Sequence, residues 1–348
     1  MNTCGHLHLA GRWWALEPHS ISEMRSMGLE PWERDIVDAV EAWFNASDTM
    51  ELVTSGSTGL PKRICHSKAV MADSALRTAA FFSLGHGARA ALGMPVRFVG
   101  GMMMVVRAIV NGWRLRAVEP KMLLELGMEG VDFLACTPSQ AMLLEQQRAE
   151  AWGTINMVLM GGGASDATWV KSLAAGPEVY ESFGMTETVS HFAIRKLHPH
   201  AEKHFRCLPG FTIETAPTGA LAVETPWGVR IETNDAVDRV DAHTFTWLGR
   251  LDDVINSGGI KVHPERVEAV LSEFIEGPFR CYGVPDLVLG HAVRLRIHAE
   301  GPPVDAAQQR SDILAWATAK LPAHHAPKSI EWAPLEQTDS GKWKRPRA

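Results

Sequence analysis

Residues Ala90–Val118 read AALGMPVRFVGGMMMVVRAIVNGWRLRAV. Ala90–Met94 is a short apolar run, and its length and apolar character predict a buried strand. Met102–Val110 is apolar at every position except Arg107 and predicts a helix, and Leu115–Val118 predicts a second strand. The longest apolar stretch, Ala90 to Trp113, is interrupted by Arg97, Arg107 and several glycines. A charge near the centre of a spanning helix costs about 2.5–3.5 kcal/mol on insertion scales. The stretch therefore reads as a strand followed by a core helix, not as a membrane span.

The same alternation extends on both sides. Met50–Thr54 is an apolar run that ends in a loop of Ser, Gly and Thr. Ser67–Ser83 has helical spacing, with Val70, Met71, Ala75, Leu76 and Ala79 expected on the buried face. Met122–Leu126 reads as a short helix, and Phe133–Cys136, Met157–Met160 and Glu178–Tyr180 read as strands. Strand, glycine loop and helix in repeated order predict an α/β fold with mostly parallel sheets covered by helices. Ligands gather at the carboxyl ends of such strands. From Phe211 to Trp247 short β-like runs predict a β-rich subdomain. After Gly249 comes an α+β tail: a Gly-Gly turn, a helix over Pro264–Phe274, strands near Arg280–Val284 and Arg294–His298, and a helix over Val304–Lys320. The expected division is a large N-terminal domain, 1–250, and a small, mobile C-terminal domain, 251–348.

Composition narrows the function. The chain has 348 residues, 46% apolar and 21% charged, with a net charge of -6, which suits a globular protein of two or three domains. No polybasic signature points to nucleic acid or an anionic membrane. The five cysteines are scattered and never form a CxxC pair, so they read as reduced thiols of a cytoplasmic protein. The opening Met-Asn-Thr-Cys-Gly-His-Leu-His-Leu has no signal-peptide pattern. His6, His8, His198, His200, His204, His324 and His325 show no metal-ligand spacing and read as surface residues.

Four motifs carry chemistry. In Thr54-Ser55-Gly56-Ser57-Thr58-Gly59-Leu60-Pro61-Lys62, small residues let backbone N–H groups approach phosphate oxygens, while hydroxyls and one Lys add donors and charge. It is not a Walker A loop, because Pro61 and Arg63 replace the required Gly and Ser/Thr. In Ser182-Phe183-Gly184-Met185-Thr186-Glu187-Thr188, Phe183 suits base stacking, Thr186 an oxyanion and Glu187 a divalent cation. Thr233-Asn234-Asp235 precedes a long segment, Gly249–Glu265, that contains Arg250, Asp252, Gly258, Gly259 and Lys261. Asp235 as acceptor and Arg250 as donor suit a ribose diol. Ser340–Arg345, with Lys342, reads by itself as a solvated basic tail. Gly161-Gly162-Gly163 fails as a dinucleotide fingerprint because Asp166 stands where the last Gly belongs.

Together and in this order, over residues 50 to 345, these segments resemble the adenylate-forming superfamily of acyl-CoA synthetases, luciferases and peptide-synthetase adenylation domains. The resemblance implies a two-step ligase that uses ATP, Mg²⁺ and a thiol such as CoA. A carboxylic acid and ATP give an acyl-adenylate and pyrophosphate, and the thiol then displaces AMP. It implies that Thr54–Lys62 holds the β,γ-phosphates, and that Thr186 and Glu187 serve phosphate and Mg²⁺. It further implies that Gly161, Gly162, Phe183 and Gly184 line the nucleotide pocket, and that Asp235 and Arg250 hold the ribose. Asp252 becomes the hinge, Gly258, Gly259 and Lys261 lie on the CoA path, and Lys342 bridges carboxylate and α-phosphate.

The chain departs from many relatives in Asn234, in Arg97-Phe98-Val99-Gly100-Gly101, and in having only 53 residues before Thr54. That shortness, with Gly101, Met104, Arg107 and Gly112 in step and the segment Gly184–His191, resembles the o-succinylbenzoate–CoA ligases of menaquinone synthesis. Their substrate is an aromatic keto-dicarboxylic acid, so a cation is expected for its non-reacting carboxylate. Arg107 is the first candidate, with Gly101 beside it, and an ion pair to an internal Asp or Glu is the competing explanation. His191 and Arg195 come second, each with a surface role as the alternative. A ligase for another acid or a carrier-protein thiol, and a non-catalytic nucleotide-binding relative, are the other readings of the chain.

Overall fold

The computed structural model describes residues 4–54, 62–120, 129–163, 165, 167–338 and 343–347. Ser55, Gly56, Ser57, Thr58, Gly59, Asp166, Lys342 and the helix expected over Met122–Leu126 lie outside them. The chain divides into two compact units, 1–165 with 172–211 and 225–229, and 166–171 with 212–224 and 230–348.

In the first unit the strands are β1 (His6–Leu9), β2 (Arg12–Ala15), β3 (Thr49–Val53), β4 (Arg63–Ser67), β5 (Arg89–Leu92), β6 (Arg114–Ala117), β7 (Val131–Cys136), β8 (Ile155–Met160), β9 (Glu178–Met185), β10 (Ser190–His198) and β11 (Phe205–Cys207). They run in the order β11-β10-β9-β8-β7-β5-β6-β1-β2, apart from β3 and β4. Every pairing from β9 to β1 is parallel, and the two flanks are antiparallel. The α/β expectation therefore holds, with a correction at Met50–Thr54. That run belongs to a separate antiparallel hairpin, β3–β4, and not to the parallel sheet. Its exposure alternates, with Met50 and Leu52 buried and Thr49 and Glu51 exposed, as in a half-buried hairpin strand.

The helices are α1 (Ser20–Arg25), α2 (Pro31–Phe44), α3 (Lys68–Phe81), α4 (Val99–Asn111), α5 (Pro138–Gln147) and α6 (Ala149–Gly153). Ser67 caps α3 by accepting from Val70 N at 3.2 Å. Gly112, at φ 66°, ends α4 in the left-handed region that glycine adopts at least cost. Gly101 through Ala108 of α4 are all buried, as an apolar-all-round helix requires. A Cβ at Gly101 would lie 2.4 Å from the Pro95 carbonyl oxygen, so its glycine has a packing reason.

The buried face of α3 is the one the apolar pattern selects at Met71, Ala75 and Ala79, but not at Val70 and Leu76. Met71, Ser74, Ala75, Thr78 and Ala79 are buried, whereas Leu76 is 52% exposed. Ser74 and Thr78 are polar, and both face partners that the pattern cannot register.

The second unit contains a small sheet (Thr212–Thr215, Leu221–Glu224, Arg230–Glu232) and a hairpin of Asp235–Arg239 with Thr244–Arg250. It also contains a sheet of Ile255–Ser257, Ile260–Val262, Phe279–Asp286, Gly290–Ile297 and Ser329–Trp332. Helices Pro264–Leu271 and Ala306–Lys320 accompany it, each shorter than expected at one end. Val267, Leu271, Ile313 and Ala317 join Val293 and Leu295 in its core. Asp252 lies inside this unit, in the short 3₁₀ turn Leu251–Asp253.

Candidate functional site

The two end residues of the Thr54–Lys62 motif adjoin the strands of the β3–β4 hairpin. Thr54 N donates to the Lys62 carbonyl at 2.9 Å, and Lys62 N donates to Thr54 Oγ1 at 3.1 Å. The loop base is thus closed by the motif's two end residues, and Lys62 is exposed. At the other end of this hairpin, His66 Nε2 lies 2.7 Å from the Thr186 carbonyl oxygen. Because a carbonyl only accepts, Nε2 carries the hydrogen. His66 thus ties the hairpin to the turn between β9 and β10, a link across 120 residues that no local motif announces.

That turn is built by Thr188. Its hydroxyl accepts from Met185 N at 3.0 Å and lies 2.7 Å from the Ser190 carbonyl. Val189 and Ser190 take φ of 57° and 101°, a strained pair for residues with side chains. A Cβ on Gly184 would come 2.1 Å from the Ser190 carbonyl oxygen, so glycine there is required by the closeness of β10. The turn holds Thr186 buried and Glu187 exposed. Among the described residues, no group of three His, Cys, Asp or Glu side chains is placed to hold a metal. One exposed carboxylate nevertheless fits Mg²⁺, which is commonly held by one or two carboxylates plus substrate phosphates.

Gly161 follows β8 and donates to the Cys136 carbonyl at 3.0 Å. A Cβ there would sit 2.9 Å from Ser182 Oγ, and Gly162 takes φ 86°. Phe183 packs its ring against Phe192 and Phe205, at 5.7 and 5.4 Å between centroids.

Arg107 is 2% exposed. Its Nε donates to Thr78 Oγ1 at 3.2 Å and its Nη2 to Ser190 Oγ at 3.1 Å, while His191 Nδ1 lies 3.5 Å away. No Asp or Glu pairs with it among the described residues. Among the described residues, the internal ion pair that competes with an anion-binding role is therefore absent. Burial alone pushes the guanidinium down to about 9. His191 is buried, not a surface residue, and burial followed by the Arg107 charge pushes its imidazole well below the ordinary range. It is therefore neutral and offers Nδ1 as an acceptor to Arg107.

Arg195, in contrast, is occupied. Its Nε donates to Glu181 Oε2 at 2.6 Å, and the guanidinium stacks over Phe205 at 4.6 Å. Glu181, 3% exposed, also accepts from Ser165 N at 2.9 Å. Arg195 thus anchors β9 to β10. Sequence pattern could not assign Thr78 or His66 to this region, because each acts through a contact distant in sequence, and it gave Thr188 and Ser190 no individual role within Gly184–His191.

In the second unit, Asp235 and Arg250 are direct cross-strand partners, so their side chains share one face of the hairpin. Asp235 is 7% exposed and accepts from Trp247 Nε1 at 2.9 Å. Its carboxyl is pushed up by burial, partly offset by Trp247 and Arg250. Thr233 Oγ1 accepts from Asp235 N at 3.0 Å and forms the turn, so Asn234 needs no glycine-like backbone. Arg250 Nε donates to Asp252 Oδ1 at 3.1 Å. Gly258 and Gly259 take φ of 59° and 82°, and Lys261 is exposed. The histidine reading needs correction too. His8, His198, His204, His324 and His325 are half-buried, and Gly258 lies against the His324 ring.

The AMP-binding enzyme family profile matches residues 28–213. An acyl-CoA synthetase (AMP-forming)/AMP-acid ligase II-like protein from Dyadobacter fermentans is 32% identical, over 90% of this chain and 92% of that one, with a TM-score of 0.59. The 2-succinylbenzoate–CoA ligase of Staphylococcus aureus is 24% identical, over 87% of this chain and 67% of its own length. O-succinylbenzoate coenzyme A synthetase from Bacillus subtilis, in complex with ATP and magnesium ion, has a TM-score of 0.74 at 18% identity, over 85% of this chain and 68% of that one, and shares the fold. No helix among the described residues is long and apolar enough to cross a membrane. By the family profile and the relative at 32% identity, the chain belongs to the AMP-binding enzyme family, among its AMP-forming acid–CoA ligases.

Proposed function

We propose that this chain is an o-succinylbenzoate–CoA ligase acting in the cytoplasm on an intermediate of menaquinone synthesis. The observation that carries the acid is Arg107, a buried cation whose partners are two hydroxyls, a thioether and a neutral imidazole. A charge in that setting is costly until an anion meets it. The non-reacting carboxylate of an aromatic dicarboxylic acid supplies one, with Ser190 and His191 shaping the surroundings and Gly101 in the first turn of α4. The curated relatives with this substrate in their names support the same acid.

In this reading Thr54–Lys62 closes over the β,γ-phosphates and Lys62 adds charge. Thr186 donates its hydroxyl to a phosphate oxygen. Glu187 would hold Mg²⁺, which supplies Lewis-acid charge for phosphate when bound. Asp235 accepts from the ribose diol while Arg250 donates, and Gly161, Gly162, Phe183 and Gly184 border the nucleotide. The carboxylate oxygen attacks the α-phosphorus and pyrophosphate leaves, with Lys342 neutralising the charge that builds between them. The CoA thiolate then attacks the acyl carbon, past Gly258, Gly259 and Lys261, and AMP leaves. A domain division at 250/251 with Asp252 as hinge belongs to the same reading.

The test is pyrophosphate release across a panel of aromatic acids, with and without CoA and with the nucleotide product identified. o-Succinylbenzoate should give pyrophosphate and AMP, and CoA should yield its thioester. ADP and phosphate as products would exclude the proposal, and preference for a monocarboxylic acid would exclude its substrate.

A further inference from the structure

Arg345 stands in what reads as a solvated basic tail, yet its side chain is 13% exposed. Its Nε donates to Asp253 Oδ2 at 3.2 Å and its Nη2 to Glu265 Oε1 at 2.8 Å. Nη1 donates to Glu268 and to the Cys281 carbonyl. These acceptors come from the turn Leu251–Asp253, the helix Pro264–Leu271 and the strand Phe279–Asp286. The two residues before Arg345 are held as well. Lys344 N donates to the Glu336 carbonyl at 2.8 Å, and Trp343 bridges to Gln337 and packs on His298 at 4.7 Å.

One guanidinium serving three half-buried carboxylates is an expensive arrangement. Its location explains what it is for. Asp253 adjoins Asp252, and Arg345 follows Lys342 by three residues. Glu265 also lies against Gly249, where a Cβ would come 2.1 Å from its Oε2, and Gly249 adjoins Arg250. The cluster therefore joins the turn of Asp252, the strand end of Arg250 and the segment that follows Lys342.

We propose that Arg345 is a positioning residue that acts through Lys342, by anchoring Trp343–Arg345, the residues that follow the lysine in sequence, to the Asp252–Asp253 turn and the helix Pro264–Leu271. The proposal rests on the reading of Lys342 as the adenylation lysine. It predicts a role in adenylation and none in thioester formation.

The experiment is a double-mutant cycle of Arg345→Met and Lys342→Ala, read in each half-reaction separately. Arg345→Met should lower kcat for adenylation by about 10- to 100-fold, the scale of a misplaced catalytic group, with the KM for ATP little changed. Thioester formation from synthetic acyl-adenylate and CoA should stay within about threefold of wild type, and the double variant should adenylate no more slowly than Lys342→Ala. Arg345→Lys, which keeps the charge but not the fork, should recover part of the rate. Equal losses in both half-reactions, or losses that multiply in the double variant, would overturn the proposal in favour of a purely structural role. Should Arg345→Met fail to fold, Asp253→Asn in the same cycle removes one anchor and is read identically. If Lys342→Ala adenylates normally, the lysine reading fails and the proposal falls with it. The Lys342→Ala rate alone separates that failure from a failure of Arg345.

Discussion

The guanidinium of Arg107 lies 3.2 Å from the Thr78 hydroxyl, joining the middle of one buried helix to the polar stripe of another. Ser74, one turn before Thr78, donates to the Val189 carbonyl at 3.2 Å, so the same stripe supports the strained turn that leads into β10. A buried cation, without a carboxylate partner among the described residues, and a strained turn therefore share one polar support.

Removing the cation should separate function from stability. Arg107→Ala should lower kcat/KM for o-succinylbenzoate by about 10- to 100-fold, the equivalent of a charged hydrogen bond of roughly 1.5–3 kcal/mol. Benzoate, which lacks the second carboxylate, should lose much less. Arg107→Met keeps volume and removes the desolvated charge, so its urea midpoint should not fall below that of wild type. Equal losses for the two acids would make Arg107 structural.

His191 sets a pH dependence of stability. Its folded value lies well below the ordinary 6.5, so between the two the unfolded chain holds the extra proton. Stability is then lost as pH falls below about 6.5, by at most about 1.4 kcal/mol per pH unit for one group. His191→Gln should lose less stability than wild type between pH 7.5 and 5 in urea titrations. His8, His263 and His325, shifted downward too, supply a remaining slope.

His66 should matter to nucleotide binding through Thr186. His66→Phe deletes the donor to the Thr186 carbonyl, and a lost neutral hydrogen bond of about 1 kcal/mol predicts a KM for MgATP roughly 5- to 10-fold higher. Steady-state kinetics at saturating acid and CoA would measure it. An unchanged KM would show that the hairpin does not position the turn.

Thr188→Val keeps shape and removes the hydroxyl that braces Met185 and Ser190. The stranded backbone groups should cost about 1–3 kcal/mol in urea unfolding. Gly184→Ala should be at least as damaging, because its Cβ meets backbone, which cannot rotate away.

Gly259 has no atom within 4 Å of where a Cβ would be, but its φ is 82°. Leucine there would add backbone strain to bulk, whereas Asn tolerates the left-handed region. Gly259→Asn should adenylate at the wild-type rate and form the CoA thioester about tenfold more slowly. Wild-type rates in both half-reactions would remove this turn from the thiol path.

The sequence by itself determined the α/β class, the strand–helix–strand order from Ala90 to Val118, and the family, but not the helices α5 and α6 between β7 and β8. Those properties reside in local periodicity and in contiguous motifs such as Gly184-Met185-Thr186-Glu187, which need no knowledge of distant contacts. It also singled out Arg107, because a charge inside an apolar helix is visible in one dimension. It could not say what Arg107 faces. Thr78, Ser190 and His191 reach it from 29 to 84 residues away. For the same reason the buried face of α3 was legible only in part: Met71, Ala75 and Ala79 are inside as expected, but so are Ser74 and Thr78, whose hydroxyls find partners, while Leu76 is left outside. Arg195, the second candidate after Arg107, is held by Glu181, fourteen residues earlier. The carboxylate-free burial of Arg107, the bracing of Thr186 by His66 and the capture of Arg345 by three acids are decided only by tertiary structure, because whether a buried polar group is satisfied depends on which distant residues the fold brings within hydrogen-bonding distance.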